Sequence, residues 1–346
     1  MATTCPAITR LRQAVDQHLP ANNASAITGP TPITTPERRA RSLSDLPIEI
    51  SQLSSKAAEK EPKDTVLYLG YGSNLCAETF QGKRNINPLS QVNVVVPALS
   101  LTFDLPGLPY TEPCFGNVRY RDTQMGGDVA GDDYHKDRWH KGLVGVVYEV
   151  TRADYINIIA TEGGGSGYQD VLVDCFALNG TLNETVPSNP SGPYFKAHTL
   201  YDPTGLSRRE HSYAQPSPRY LKLITDGATE HALPQEYQDF LNQIRPFHLT
   251  TNRQRLGQFI FLSIWGPFIL FALQGSKIFL RPDGTYPPWM AKLVQIIFTS
   301  TWASYDKFFK RTFGDGERTI GDSDHDQAGD GSDEKAPLLR RDKSLV

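Results

Sequence analysis

The sequence is poor in sulfur and carries almost no charge bias. Its 4 cysteines in 346 residues, Cys5, Cys76, Cys114 and Cys175, are far apart and form no Cys-x-x-Cys pair. That excludes a zinc-thiolate knuckle and a disulfide scaffold, and it points to a reducing, intracellular setting. A net charge of −3 gives no electrostatic attraction for nucleic acid, and neither a basic helix nor an aromatic ribonucleoprotein motif is present. His135 and His140 lie near Asp132 and Asp133, but their spacing matches no closed metal site. The glycines at 163–167 follow a helical pattern and lead to no Gly-Lys-Ser/Thr, so they are not read as a phosphate cradle. Met1 to Arg12 lacks the apolar core that a secretory signal needs, and none is expected.

What is present is unevenly distributed. Residues 1–62 are rich in Pro, Ser, Thr, Ala and Asn. They have too few large apolar groups to offset ordering entropy, and a disordered arm is expected. Within it, Arg38-Arg39-Ala40-Arg41 precedes Ser42 and Ser44, an arrangement open to a basic-directed kinase or to a plain solvated linker. From 63 to 250 the texture is that of a packed domain. Strands are predicted at Val66–Leu69, Val92–Val96, Leu99–Phe103, Phe115–Tyr120, Gly142–Val150, Val171–Phe176 and Tyr194–Tyr201. A loop is predicted over 107–116 and a surface insertion over 121–142. Thr151-Arg152-Ala153-Asp154 has the form of a helix start, and Tyr155, Ile158 and Ile159 share the face that follows. Two further helices are predicted near Pro218–Thr229 and Pro234–Ile244.

Two places carry chemistry. The first strand breaks into Gly70-Tyr71-Gly72-Ser73-Asn74-Leu75, where the glycines permit unusual backbone angles and close ligand approach. Backbone N–H groups, the Ser73 hydroxyl and the Asn74 amide can there hold a small carboxylate. The second is Glu162, at the junction of an amphipathic helix and a glycine run. Either an exposed, solvated helix end or a carboxylate close to a bound substrate fits that position.

These two places, in this order, resemble the γ-glutamylcyclotransferase family. Tyr71-Gly72-Ser73-Asn74-Leu75 is similar to its substrate-binding turn, and Gly145-Val146-Val147-Tyr148 leads to Glu162-Gly163 as in its members. Tyr168 matches the aromatic residue after Glu-Gly, with a loop that differs by about a residue. Pro216-Ser217-Pro218-Arg219-Tyr220, Gly227-Ala228 and Leu233-Pro234-Gln235-Glu236-Tyr237 resemble the closing helices. The resemblance covers roughly residues 64–247. It implies an α+β fold, a mixed β-barrel with flanking helices, and a lyase reaction that needs no cofactor and no metal. The α-amino group of a γ-glutamyl substrate attacks its own γ-carbonyl, releasing 5-oxoproline and an amine or amino acid. Glu162 is the implied general acid/base. Tyr71, Gly72, Ser73, Asn74 and Leu75 are the implied substrate-binding turn. Tyr168 and Tyr220 either line the pocket or only pack in the core. The alternative is a non-catalytic binding module of the same fold tethered to a membrane.

Departures from the family pattern set bounds. The turn reads Tyr-Gly-Ser-Asn where the glutathione-specific branch has Tyr-Gly-Ser-Leu, and the insertion at 121–142 leaves the leaving-group side undefined. Glu162-Gly163-Gly164-Gly165-Ser166-Gly167-Tyr168 and the apolar tail resemble fungal members tied to gliotoxin-like secondary metabolism, where the substrate would be a glutathione conjugate. Beyond 250, Gly257 to Ser276 is uncharged and about long enough to span a bilayer. Its aromatic residues, Phe259, Phe261, Trp265, Phe268 and Phe271, form no clean stripe. Residues 251–313 are therefore expected to be a separable hydrophobic helical extension, either membrane-associated or packed on the domain, and 314–346 a disordered acidic tail. The protein is expected in the cytoplasm or on a membrane with its catalytic domain in the cytosol.

Overall fold

In the computed structural model, which describes residues 30–49, 64–121, 139–161, 169–201, 214–273, 278–279 and 286–321, the apolar runs become seven strands. They are β1 (Thr65–Gly70), β2 (Ser90–Val96), β3 (Leu99–Leu108), β4 (Glu112–Tyr120), β5 (Leu143–Thr151), β6 (Gln169–Ala177) and β7 (Phe195–Tyr201). Five of them close a barrel in the order β1-β5-β2-β6-β7, and β3 and β4 form a separate two-stranded ribbon. β5 is apolar on both faces and lies antiparallel between β1 and β2, with Tyr68 opposite Tyr148 and Val94 opposite Gly145. The barrel closes where β7 runs parallel to β1, with His198 opposite Tyr68.

Four helices flank the barrel: α1 (Pro36–Arg41), α2 (Arg152–Thr161), α3 (Pro218–Glu230) and α4 (Gln235–Gln243). Thr151 caps α2 as its sequence suggests, its Oγ1 accepting from the Asp154 N–H at 3.1 Å. Tyr155 and Ile158 then point into the core, both fully buried. The mixed barrel with flanking helices is the architecture the resemblance implies.

The arm expected over 1–62 is, across its described part, a docked strap. Ile33 bridges Gln91, adding a short third partner to β2. α1 is capped by Thr35 and lays Arg38 across the barrel, where Nε donates to Glu149 Oε1 at 3.0 Å and Nη2 to the Thr65 carbonyl at 2.8 Å. Composition misses this because the strap is held by polar contacts and not by its own apolar area. Ser42 is fully buried, donating to the Arg39 carbonyl and accepting from the Lys196 N–H, which removes it as an accessible kinase site. Ser44 stays at an exposed position.

The extension is the second departure. It consists of α5 (Asn252–Leu273) and α6 (Pro288–Ser304), continued by a π-helical stretch at Tyr305–Phe309 and α7 (Lys310–Phe313). The region predicted as loop, 107–116, is instead the tip of the β3–β4 ribbon, and it inserts into this extension. Tyr110 sits at the tip with φ 63°, almost wholly buried. Its ring makes edge contacts to Phe261 at 5.9 Å and Tyr305 at 5.5 Å. Its hydroxyl donates to the Gly314 carbonyl, its N–H donates to the Gly316 carbonyl, and its own carbonyl accepts from Gln258 Nε2. Residues 314–321, expected within a disordered tail, are held in this way and by a bond from the Thr319 N–H to Gln215 Oε1.

A chain ending at Thr251 strips Leu108 and Tyr110 of their cover, and we expect it to aggregate or melt well below the full chain. Phe261→Ala in the full chain removes a fully buried ring, at a cost of about 3–5 kcal/mol. Urea midpoints and thermal melts check both. A truncated chain as stable as the full one would show that the extension is separable after all.

Candidate active site

The turn after β1 is built by steric permission. A Cβ on Gly70 would meet the Tyr148 ring at 3.0 Å, and one on Gly72 would meet the Tyr220 hydroxyl at 3.2 Å. Neither glycine is among those with positive φ, and close packing is the constraint the two positions share. The chain then makes a single 3₁₀ turn over Ser73–Leu75, closed by the Leu75 N–H to the Gly72 carbonyl at 3.0 Å.

One pocket opens over this turn, lined by Tyr68, Tyr71, Gly72, Ser73, Asn74, Gly116, Leu200 and Tyr220. Of the residues implied for the site, Tyr71, Gly72, Ser73, Asn74 and Tyr220 converge here. Leu75 does not: it is fully buried beneath α3, and its part is packing. Asn74 is buried as well, and its Nδ2 donates to the Tyr68 hydroxyl at 2.8 Å, so this amide props the turn from below. Glu162 and Tyr168 lie outside the described residues. α2 runs to Thr161, and its Tyr155 ring lies 6.0 Å from that of Tyr68 in the pocket wall. Sequence reasoning missed Tyr68, Gly116 and Leu200. The alternation of β1 and the lone glycine within β4 were the signals that could have found the first two.

α3 sets the pocket's dimensions. At its start Ser217 caps the helix, accepting from the Tyr220 N–H at 3.0 Å, and Ser217 and Arg219 both donate to the buried Glu112 carboxylate of β4. Tyr220 then reaches across to accept from the Gly116 N–H at 3.0 Å. Midway, Gly227 lies against the turn so closely that a Cβ would stand 2.4 Å from the Leu75 carbonyl carbon. At the end, Glu230 accepts from the Ala77 N–H, and His231 Nε2 lies 3.0 Å from the Leu75 carbonyl and 2.8 Å from the Tyr148 hydroxyl. Burial holds the Tyr148 phenol well above its ordinary value, so it stays protonated.

Comparison with known proteins gives the class. The chain is 32% identical over 149 residues to the γ-glutamyl cyclotransferase verK of Clonostachys rogersoniana, covering 42% of this chain and 78% of that protein. It is 29% identical over 276 residues to the γ-glutamyl cyclotransferase aclK of Aspergillus oryzae, covering 77% of this chain and 95% of that protein. The chain belongs to the γ-glutamyl cyclotransferase family. Within it, the match to fungal members extends over most of the chain, as a third case shows: gliK of Aspergillus fumigatus is 26% identical over 263 residues, 76% of this chain and 93% of its own length. Residues 251–312 match the family model described as the AclK C-terminal domain.

Burial lowers the pKa of His231, outweighing the Leu75 carbonyl and Glu230, which raise it. In the unfolded chain the imidazole titrates near 6.5. Below that pH the unfolded state takes up a proton that the folded state refuses, so stability falls as pH drops from about 6.5 towards the folded value. His231→Asn removes this term and is expected to flatten the acid limb of a plot of urea midpoint against pH. Identical slopes for the two proteins would mean that His231 titrates alike in both states.

Proposed function

We propose that this protein cyclises a γ-glutamyl substrate with Glu162 as general acid/base and the Tyr71–Asn74 turn as the seat of the substrate's α-carboxylate. The observation that carries the reading is the pocket itself. The turn, Gly116 and Tyr220 form a polar-walled recess at the barrel, and one wall residue, Tyr68, packs on the helix that leads directly to Glu162. Family membership supports the same reaction and removes the support for a non-catalytic tethered module.

The chemistry follows from the substrate. Its α-ammonium group has no lone pair and cannot attack. A carboxylate takes one proton, the freed amine adds to the γ-carbonyl carbon, and a five-membered ring closes. The added nitrogen still carries a surplus proton and gives that up too, and the bond from that carbon to the leaving nitrogen breaks as the leaving nitrogen receives both protons, giving 5-oxoproline and an amine or amino acid in its ammonium form. One carboxylate can serve both transfers, and no oxidant, reductant or water is consumed. The turn's share is orientation, holding one end of a flexible chain so that its other end folds back. A γ-glutamyl amino acid or glutathione conjugate has both the free amine and the carboxylate this requires.

Glu162→Gln keeps the size of the side chain but cannot accept the proton. Turnover is expected to fall by about 10²–10⁴-fold, with substrate affinity largely retained. Release of 5-oxoproline from a panel of γ-glutamyl amino acids, γ-glutamylamines and glutathione conjugates is the measurement. A variant within about tenfold of wild type would assign the base elsewhere.

A second property concerns place. The reduced cysteines Cys76, Cys114 and Cys175 support an intracellular protein. Among the described residues, α5 is the one helix long and apolar enough to cross a membrane, and 39% of that stretch is buried inside the protein. Leu262, Gly266 and Ile269 face inwards, whereas Ile264, Phe268 and Phe271 form an exposed apolar row on the other side, at spacings of four and three residues. We read that row as seating the protein on a membrane surface, not as part of a free spanning helix. Ile264→Ser with Phe268→Ser touches only exposed positions and is expected to abolish sedimentation with lipid vesicles while leaving turnover intact. Wild-type protein that stays in the supernatant would end this reading.

A further inference from the structure

The β3–β4 ribbon and the barrel each give the pocket one residue away from the turn, Gly116 of β4 and Leu200 of β7. Past these residues the two strands meet again. β4 ends at Tyr120 and β7 at Tyr201, and the two rings lie 5.6 Å apart, inclined at 59°. Side chains alternate along β4, so Gly116, Val118 and Tyr120 share one face, while Asn117 and Arg119 turn the other way and both donate to the Asp104 carboxylate. Val118, between the pocket residue and the ring, is fully buried. Tyr201 is the residue next to Leu200.

The two rings are held unequally. Tyr201 is partly buried against the barrel core, with Arg119 beside it. Burial works against the Arg119 charge, and the Asp104 carboxylate at 2.7 Å and the Tyr201 hydroxyl outweigh it, so this support stays cationic and fixed. Tyr120, in contrast, is 57% exposed. A single exposed ring is ordinary on a protein surface. Here the exposed ring is seated on a second, anchored one, and both end strands that line the pocket, which gives the pair an apolar area of defined orientation next to the site.

We propose that Tyr120 and Tyr201 form a leaving-group subsite, an aromatic shelf that favours γ-glutamyl substrates whose released amine or amino acid carries an aromatic or large apolar side chain. The inference deepens the reading of the pocket as the seat of the γ-glutamyl group and rests on it. With the α-carboxylate held at the turn, the rest of the pocket wall belongs to Gly116 and Leu200, on the strands that lead to the pair. An aromatic group laid on Tyr120 takes apolar area of both partners out of water, whereas a methyl-sized or charged leaving group gains little there.

The test uses the full chain with γ-glutamyl-phenylalanine and γ-glutamyl-alanine, which differ only by the phenyl group of the leaving amino acid. 5-Oxoproline release gives kcat/KM for each, and their ratio is the readout. The wild type is expected to prefer the aromatic substrate about tenfold. Tyr120→Ser is expected to cut that ratio about 5–10-fold, chiefly through KM, because the ring contact is made in ground and transition states alike. Tyr120→Phe keeps the ring and is expected to keep the preference. Tyr201→Leu lowers the ratio as well, and Tyr201→Phe retains it. A wild type with no preference overturns the shelf, as does an unchanged ratio in Tyr120→Ser. Equal losses on both substrates do so too, since they would make the ring a structural prop. Should neither compound release 5-oxoproline, the cyclisation reading fails separately, and calorimetric titration of the same two compounds decides the shelf. Tighter binding of the phenyl compound that Tyr120→Ser abolishes supports it, and equal affinities or no binding overturn it.

Discussion

The absence of a side chain at Gly227 is what lets the pocket exist. Helix α3 rests on the backbone of Leu75 and Cys76 at a distance that no Cβ would tolerate. From that contact the helix reaches both ends of the site. Its first turn carries Tyr220 over Gly72 to Gly116, and its last places Glu230 and His231 behind the turn at Ala77 and Leu75. A turn made of small polar residues has little apolar area with which to stabilise itself. Its shape is imposed from outside, by a rigid helix pressed against it and by Asn74 bound to Tyr68 below.

The same logic extends to the carboxyl-terminal helices. Tyr110 is lodged among Phe261, Tyr305 and the backbone of Gly314 and Gly316, and the ribbon it terminates also supplies Glu112 to the cap of α3 and Gly116 to Tyr220. Gln215, two residues before that cap, donates its N–H to the Glu317 carbonyl and accepts from Thr319. Two walls of the pocket thus share supports with a region that composition alone marks as an appendage. Positive φ at Tyr110 is tolerable because the ring, the hydroxyl and both backbone groups at that residue are all satisfied.

Much of the barrel was legible because its signal is local. β5 reads as a continuous apolar run, α2 begins at a Thr-x-x-Asp cap, and α3 is announced by Ser-Pro. The turn after β1 was singled out through resemblance, and four of its five residues line the pocket. What escaped depends on partners distant in sequence. Arg38 finds Glu149 across 111 positions, and no composition rule anticipates that a Pro- and Ser-rich strap will be held by polar contacts so distant in sequence. Leu75 and Asn74 belong to the turn's motif, yet one packs under a helix and the other turns inwards, because a short 3₁₀ turn cannot point all its side chains to one side. The ribbon tip read as loop because its glycine and prolines suppress strand propensity, and burial in the extension overrides that preference.

A reaction that closes one molecule into a ring obtains much of its rate from where groups stand, and that explains a feature of this barrel that stability alone would not. The sheet face beside the pocket carries Tyr68, Tyr148, Asp170 and His198, polar groups where Val and Leu would pack at less cost. Each finds a partner: Asn74 for Tyr68, His231 for Tyr148, and Tyr155 with His198 for Asp170. Directional bonds hold atoms to within tenths of an ångström along an axis, whereas apolar contacts leave neighbouring rotamers close in energy. Where catalysis consists of bending one flexible molecule until its amine meets its own carbonyl, that directional rigidity is the property the site most needs. The cost of burying it is offset by the apolar residues of β5 and β1, among them Leu67, Leu69, Val144 and Val147.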